Sequence, residues 1–336
     1  MRVVVSAPSR IHLTLVDLHG SLSGRVDGGV GFSLDEPRFV VSAERATQGA
    51  DVDISGGDEE DRSEGRTEIL GLLQRMSEAF KLPSVNVSVS STYGSHAGLG
   101  SKTAILLAVC QAYLNLFERE LPAPEMGRLV RRGGTSCIGS HGFHSGGLIV
   151  DCGHSFAAKG GTFRISGFAR DIPPGPLVGR YAMPDWPILL VTPNARKIHG
   201  KIEQEFFESV CPIPLADVRV VCHAIMMMLI PAAIEDDVDT FGRGMGILQT
   251  CKWKSHQISC QGAIVKEVME RLTELGLTGV GMSSWGSSIV ATGAVLNDKE
   301  QYRRVVKEIQ DLMDSQNGGT CLLTRATNAG RRVKFE

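Results

Sequence analysis

The chain carries eight cysteines, yet no two of them form a C-x-x-C pair, so neither a zinc ribbon nor a dithiol redox motif is written into it. Cys110, Cys137, Cys152, Cys211, Cys222, Cys251, Cys260 and Cys321 are scattered, and free thiols in a reducing cytoplasm are the expectation. A secretory leader and a membrane-length apolar run are also lacking, which points to a cytoplasmic protein that meets no membrane. Charge of one sign is not in surplus: 35 Lys and Arg stand against 37 Asp and Glu, a formal net charge of −2. That removes the electrostatic case for nucleic acid as the main partner, and any anionic ligand must be small and locally held. Internal repeats and low-complexity segments are missing too. What is present is 336 residues with 42% hydrophobic and 21% charged side chains, enough for two domains with real cores.

Residues 95–108 (Ser-His-Ala-Gly-Leu-Gly-Ser-Lys-Thr-Ala-Ile-Leu-Leu-Ala) place a glycine-rich, hydroxyl-bearing turn directly before an apolar run that reads as a helix. Gly98 and Gly100 let the backbone approach a ligand closely, and the first N–H groups of a helix lack intrahelical partners, so they and the helix dipole face an anion. Lys102 can add a full positive charge. The spacing is neither G-x-x-x-x-G-K-[ST] nor G-x-G-x-x-G, so this is no standard nucleotide loop. A plain turn and cap would look similar.

Around this loop the pattern predicts strands at 2–6, 38–43, 85–90 and 148–151, and helices at 67–80, 103–117 and 124–132. Residues 47–65, rich in Gly, Asp, Glu and Ser, read as an exposed loop. Pro173, Pro174, Pro176, Pro184 and Pro187 mark a domain boundary, dividing the chain into 1–175 and 185–336. Beyond it come a buried strand at 188–192, an apolar helix at 216–230 with the core-filling run Met226, Met227 and Met228, an amphipathic helix at 261–275, a strand at 288–295 and a charged-faced helix at 299–316. The class is α+β.

Three further glycine and hydroxyl clusters accompany the loop. The first is Ser9-Arg10-Ile11-His12-Leu13-Thr14 with Asp17, followed by Gly24-Arg25-Val26-Asp27-Gly28-Gly29; the second is Arg132-Gly133-Gly134-Thr135-Ser136-Cys137-Ile138-Gly139 leading to Gly146-Gly147; the third is Gly281-Met282-Ser283-Ser284-Trp285-Gly286. In this order the motifs resemble the GHMP superfamily of galacto-, homoserine, mevalonate and phosphomevalonate kinases, Gly98 to Ser101 matching its central phosphate-binding motif. The resemblance spans almost the whole chain. It implies a two-domain fold, an N-terminal ribosomal-protein-like α/β domain that carries the phosphate loop and a C-terminal ferredoxin-like α/β sandwich, with a ligand cleft between them. Gly139 stands where the kinase motif carries aspartate, and glycine can neither accept a proton nor hold a metal.

Within the superfamily, these motifs, together with His96 before the loop and Gly147–His154, are similar to those of the β-ribofuranosylaminobenzene 5′-phosphate synthase family of methanopterin biosynthesis. That resemblance implies condensation of 5-phosphoribosyl 1-pyrophosphate with 4-aminobenzoate or 4-hydroxybenzoate, releasing carbon dioxide and pyrophosphate, by a homodimer that needs no organic cofactor. Magnesium or another divalent cation is expected beside the pyrophosphate, its protein ligands unassigned. His96, Gly98, Leu99, Gly100, Ser101, Lys102 and Thr103 are the candidate phosphate cradle. Asp17, Asp27 and Lys102 are candidate catalytic residues, the aspartates as supports for a carbocation-like centre or a metal. Arg10, His12, Arg25, Gly28, Arg132, Thr135, Ser136, Ser283, Ser284 and Trp285 are candidate substrate contacts, with arginine suited to phosphate or carboxylate and Trp285 to an aromatic wall. Lys102, Cys137 and Ser287 depart from that family's Gly, Gly and Pro. An ATP-dependent small-molecule kinase and a non-catalytic ligand-binding paralogue are the alternatives.

Overall fold

The computed structural model describes residues 1–90, 97–195, 198 and 200–336. Its strands are β1 (Arg2–Asp17), β2 (Arg25–Arg45), β3 (Val52–Ser55), β4 (Val85–Ser90), β5 (Leu148–Asp151), β6 (His154–Ser155), β7 (Leu177–Tyr181), β8 (Pro187–Pro193), β9 (Gly279–Met282), β10 (Ile289–Thr292), β11 (Gly319–Arg325) and β12 (Arg332–Phe335). The α-helices are α1 (Glu59–Phe80), α2 (Ser101–Leu116), α3 (Ala123–Leu129), α4 (Ile138–Ser145), α5 (Gly200–Val210), α6 (Leu215–Ala224), α7 (Ile230–Glu235), α8 (Val238–Thr250), α9 (Lys252–Cys260), α10 (Ala263–Glu274) and α11 (Lys299–Asp314).

The first sheet runs β12-β1-β2-β4-β3, and β5 and β7 extend it from the other half of β2. Apolar side chains fill both faces of β1 and much of β2, which therefore sit under helices: α2 and α4 pack on both strands and α8 on β1. β12 pairs antiparallel with β1, so residues from beyond the expected domain boundary complete this sheet.

The second sheet, β11-β8-β10-β9, is wholly antiparallel. Strand alternation divides β8 between two cores. Ile188 and Leu190 join the large core shared with the first sheet, whereas Leu189 and Val191 pack with Val265, Val268, Val305 and Ile309 of α10 and α11. The two sheets are thus joined through one strand's two faces.

Several expectations need correction. Residues 47–65 hold β3 and the start of α1, because Asp58 caps that helix through the Asp61 N–H and the acids Glu59, Glu60 and Asp61 suit its first turn; polarity there serves a helix N-terminus. The methionine run falls on a π-helical turn, Ile225–Leu229, next to Pro231, which lacks the N–H that a regular turn would use. Met226 and Met227 are 55% and 64% exposed, so they do not fill the core. A membrane-length apolar stretch does exist among the described residues: Leu215–Glu235 qualifies by length and composition, with 44% of its most apolar window buried. Its inner side, including Val221, Ile225 and Leu229, packs into the large core.

Candidate active site

Backbone geometry explains the glycines of the loop. Gly98 and Gly100 have φ of +88° and +79°, which side-chain-bearing residues rarely adopt. A Cβ on Gly98 would lie 2.3 Å from the Ser283 carbonyl oxygen, and one on Gly100 would lie 2.9 Å from Arg10 Cγ. Gly100 caps α2, and the helix's first backbone bond runs from the Ala104 N–H to its carbonyl at 3.1 Å. The N–H groups of Ser101, Lys102 and Thr103 therefore have no intrahelical acceptor and face outward at the positive end of the dipole.

Hydrogen bonds stitch this loop to both halves of the molecule. The Arg10 N–H donates to Leu99 O at 3.0 Å and its guanidinium to Gly98 O. From the second sheet, Ser283 Oγ donates to Gly98 O at 2.7 Å and accepts from the His12 N–H at 3.0 Å. The Ser284 N–H bonds His12 O at 3.0 Å, and the Ser288 N–H bonds Ala97 O at 3.2 Å. Phosphate loop, β1 and the β9–β10 turn thus form one rigid unit.

That unit floors a cleft of about 350 Å³ lined by Arg10, Gly98, Gly100, Ser101, Lys102, Thr103, Arg132, Ser284 and Trp285, with Glu64, Glu68, Phe168, Arg170 and Glu203 opposite. Lys102 pairs with Glu64 at 2.5 Å, and Arg132 Nε donates to Thr103 Oγ1 at 3.1 Å. Burial, reinforced by Arg132, draws the Arg10 guanidinium down to about 10. Burial also pushes the Glu203 carboxyl up to about 7, against the opposing pull of Arg132, Lys102 and Arg10. Arg10, Lys102 and Arg132 on a cleft with exposed helix N–H groups make an arrangement that can hold a polyanion.

Gly139 faces the same place. A Cβ there would meet Thr103 at 3.4 Å and Arg10 at 3.8 Å, ordinary contacts, so the position looks toward the cleft and carries no acid. Cys137, two residues earlier, is a buried thiol that donates to Gly133 O and accepts from the Gly175 N–H. Burial, then the neighbouring Asp151, pushes its ionisation well up, which excludes a reactive thiolate.

The other sequence candidates gather elsewhere. Asp27 is buried with φ +67°; its Oδ2 accepts from Lys159 Nζ and from His154 Nδ1, each at 2.8 Å. Arg25 donates to the carbonyls of Cys152 at 2.9 Å and Gly153 at 2.7 Å, and a Cβ on Gly28 would lie 3.0 Å from Asp151 O. Thr135 Oγ1 bonds Arg164 O at 2.7 Å, and Ser136 Oγ lies 3.2 Å from where a Cβ of Gly29 would be. Asp17 closes a turn, accepting from the N–H groups of His19 at 2.8 Å and Gly20 at 3.0 Å. Asp17, Asp27, Arg25, Gly28, Thr135 and Ser136 are not among the residues lining the cleft. Leu99, His12 and Ser283 lie behind its floor, and His96 falls outside the described residues.

Trp285 is nearly buried, stacked on Phe206 at 6.0 Å and set edge-on to Trp253 at 5.5 Å, with one side on the cleft. Sequence reasoning missed Glu64, Glu68, Arg170 and Glu203, which stand in helices or the proline-rich segment with no motif around them. It also missed Lys254, a fully buried lysine whose only sequence signal is a charge in an otherwise moderately polar helix.

Residues 68–147 match the model of the GHMP kinases N terminal domain. Along its length the chain is 32% identical to the β-ribofuranosylphenol 5′-phosphate synthase of Methanocaldococcus jannaschii, covering 98% of this chain and all of that protein. The chain belongs to the β-ribofuranosylphenol 5′-phosphate synthase family. A second member, from Archaeoglobus fulgidus, is 33% identical over 97% of this chain and 98% of its own length. Among solved structures, homoserine kinase from Cytophaga hutchinsonii superposes with a TM-score of 0.71 at 15% identity, covering 99% and 97% of the two chains. Mevalonate kinase of L. major gives 0.67 at 14% identity, with 96% of each chain covered. The synthase family therefore uses the GHMP kinase fold, and the chain is an enzyme of the transferase type.

Proposed function

We propose that the protein condenses 5-phosphoribosyl 1-pyrophosphate with 4-hydroxybenzoate, losing carbon dioxide and pyrophosphate, to give a β-ribofuranosylphenol 5′-phosphate in methanopterin biosynthesis. The observation that carries this is a polyanion cradle whose acid position is occupied by Gly139. A kinase needs a group there to serve its acceptor hydroxyl; a synthase that expels pyrophosphate does not. The relatives' name, with its phenol, supports the hydroxy acid over 4-aminobenzoate as acceptor.

As the anomeric C–O bond breaks, negative charge gathers on pyrophosphate, and the N–H groups of residues 101–103 with Arg10, Lys102 and Arg132 are already aimed at it. The ring carbon bearing the carboxylate attacks the anomeric carbon, and the electrons of the departing C–CO2 bond restore aromaticity. Neither a covalent nucleophile nor an oxidant is required, so holding the two substrates face to face does most of the work. Trp285 supplies the flat wall. Among the described residues no group of three or more metal-ligating side chains occurs, so a magnesium ion would be held largely by the pyrophosphate, with Ser101, Thr103, Glu64, Glu68 and Glu203 among the oxygen donors that line the cleft. When bound it neutralises leaving-group charge.

Eight free cysteines support a reducing cytoplasmic location, and the exposed apolar side of Leu215–Glu235 supports a homodimer. The decisive assay mixes protein, magnesium, 5-phosphoribosyl 1-pyrophosphate and 4-hydroxybenzoate and measures both products. Stoichiometric pyrophosphate and carbon dioxide are expected. Ribosyl donor bound without turnover would leave a binding paralogue, and substrate-dependent ADP formation from ATP would leave a kinase.

A further inference from the structure

Two lysines, Lys159 and Lys254, are fully buried, and the fold treats them differently. Lys159 meets the carboxylate of Asp27 at 2.8 Å. Among the described residues Lys254, on α9, donates only to the Met282 carbonyl at 2.8 Å, and no carboxylate stands within ion-pair distance of it. An ammonium group taken out of water without a counter-charge costs several kcal/mol, and a single carbonyl dipole recovers only part of that.

His12 provides an independent second observation. Its side chain is 4% exposed and among the described residues neither ring nitrogen has a hydrogen-bond partner, although its backbone is held on both sides by Ser283 and Ser284. Buried polar atoms of this kind are nearly always paired in a completed site. His12 follows Arg10 at i+2 on β1, so both project from the same strand face, roughly 7 Å apart along the chain, with Arg10 reaching the cleft. Lys254 and His12 meet at one turn, Lys254 bonding Met282 O and the His12 N–H bonding Ser283 Oγ of the next residue, and burial first, then Arg10 and Lys254, disfavour a proton on His12. Two further buried donors lack acceptors here: Gln249 Nε2, whose oxygen holds the Met282 N–H at 3.1 Å, and Trp253 Nε1, on the ring that packs against Trp285. The orphaned acceptors Gln257 Oε1 and Gln261 Oε1 lie further along α9 and at its end.

We propose that Lys254 and His12, with the N–H groups of Gln249 and Trp253, form a carboxylate subsite behind the Trp285 turn, and that the carboxylate it takes is that of the aromatic acceptor. The identity of that acceptor rests on the synthase reading; the subsite itself does not. A phosphate dianion finds arginines and a helix N-terminus on the cleft itself, whereas one lysine and an imidazole behind its floor, beside the Trp285 indole, suit a single negative charge on a flat ring. The chemistry gains a direction from this. Loss of carbon dioxide deletes the charge that anchors the acceptor, so the product has no hold on the subsite and leaves. Burial pulls the Lys254 ammonium down to about 7, with Cys251 opposing and Arg10 adding a smaller pull, so a bound carboxylate restores its charged form. Affinity for the acid should therefore fall as pH rises above 7.

The test is calorimetric binding of 4-hydroxybenzoate, 4-hydroxybenzamide and 5-phosphoribosyl 1-pyrophosphate to the wild-type protein and to Lys254→Met. The amide is expected to bind wild type about 10- to 100-fold more weakly than the acid, and Lys254→Met to lose affinity for the acid by a similar factor while keeping its affinity for the ribosyl donor. Equal binding of acid and amide by wild type overturns the subsite, and needs no variant to fold. So does a Lys254→Met protein that binds the acid normally, or that loses acid and donor alike. Lysine-dependent acid binding in a protein that releases no pyrophosphate sinks the synthase reading and leaves the subsite standing.

Discussion

Gly98 sets how near two segments of distant sequence can come. With φ at +88° and the Ser283 carbonyl 2.3 Å from any added Cβ, Gly98→Ala must strain its own backbone and push away the β9–β10 turn. We expect a loss of about 1–3 kcal/mol in stability and at least a tenfold rise in KM for the ribosyl donor, read by thermal unfolding and initial rates. Gly139→Ala is the control, since its Cβ meets only ordinary contacts at 3.4 Å or more and its stability should be unchanged. A KM effect as large at 139 as at 98 would show that crowding, not loop geometry, is responsible. The motifs gave the two glycines different places, but not this difference in crowding, because spacing reports where a glycine stands and not what its missing side chain would touch. Arg10, Ser101, Lys102 and Trp285 were legible because they sit inside motifs; Glu203 and Lys254 were not, because burial, which gives each its altered acidity, depends on neighbours far along the chain.

At the level of elements, the hairpin start of β2 and the segment after β6 are tied by the buried Asp27–Lys159 ion pair. Lys159 donates to Asp27 and to Arg164 O at 3.1 Å, and Thr135 and Gln204 secure the same segment through Arg164 O and the Ile165 N–H. That segment continues into Phe168 and Arg170 on the cleft wall. Asp27→Asn leaves a buried ammonium without its charge partner and should destabilise the protein by about 3–5 kcal/mol; Asp27→Asn with Lys159→Met should recover much of that. Denaturation of the single and double variants checks it, and a double variant no more stable than the single one would mean that hydrogen bonds, not charge, hold the segment. Helical spacing made α10 and α11 readable, with their inward Val265, Val268, Val305 and Ile309. The same rule failed at 47–65, where a capping aspartate and acidic first turn resemble a loop in composition.

On the scale of the whole molecule, one broad apolar surface remains uncovered. Val220, Met226, Met227 and Ile234 are 48%, 55%, 64% and 66% exposed along a single helical stretch. Burying such a surface is worth roughly 25 cal/mol per Å², which favours a second copy of the chain over water. The homodimer proposed above would bury this face: Met227→Glu is then expected to lower the mass from two copies to one in light scattering coupled to size exclusion, and an unchanged mass removes this face from the interface. The α+β class was legible from the alternation at 85–90, the buried strand at 188–192 and the helical spacing between strands. The sharing of one core was not, since nothing local in Ile188 and Leu189 announces that successive residues face different helices.

The pairing of β12 with β1 bears on how the protein is made. Arg2 and Glu336 exchange backbone hydrogen bonds at 2.9 and 2.8 Å, so the outer margin of the first sheet stays open until the ribosome delivers residues 332–335. Through synthesis β1 carries an unsatisfied edge, open to strand exchange with a neighbouring nascent chain. Strand exchange through β1 is therefore confined to the interval before β12 is made, and a chaperone holding β1 would protect it over that interval.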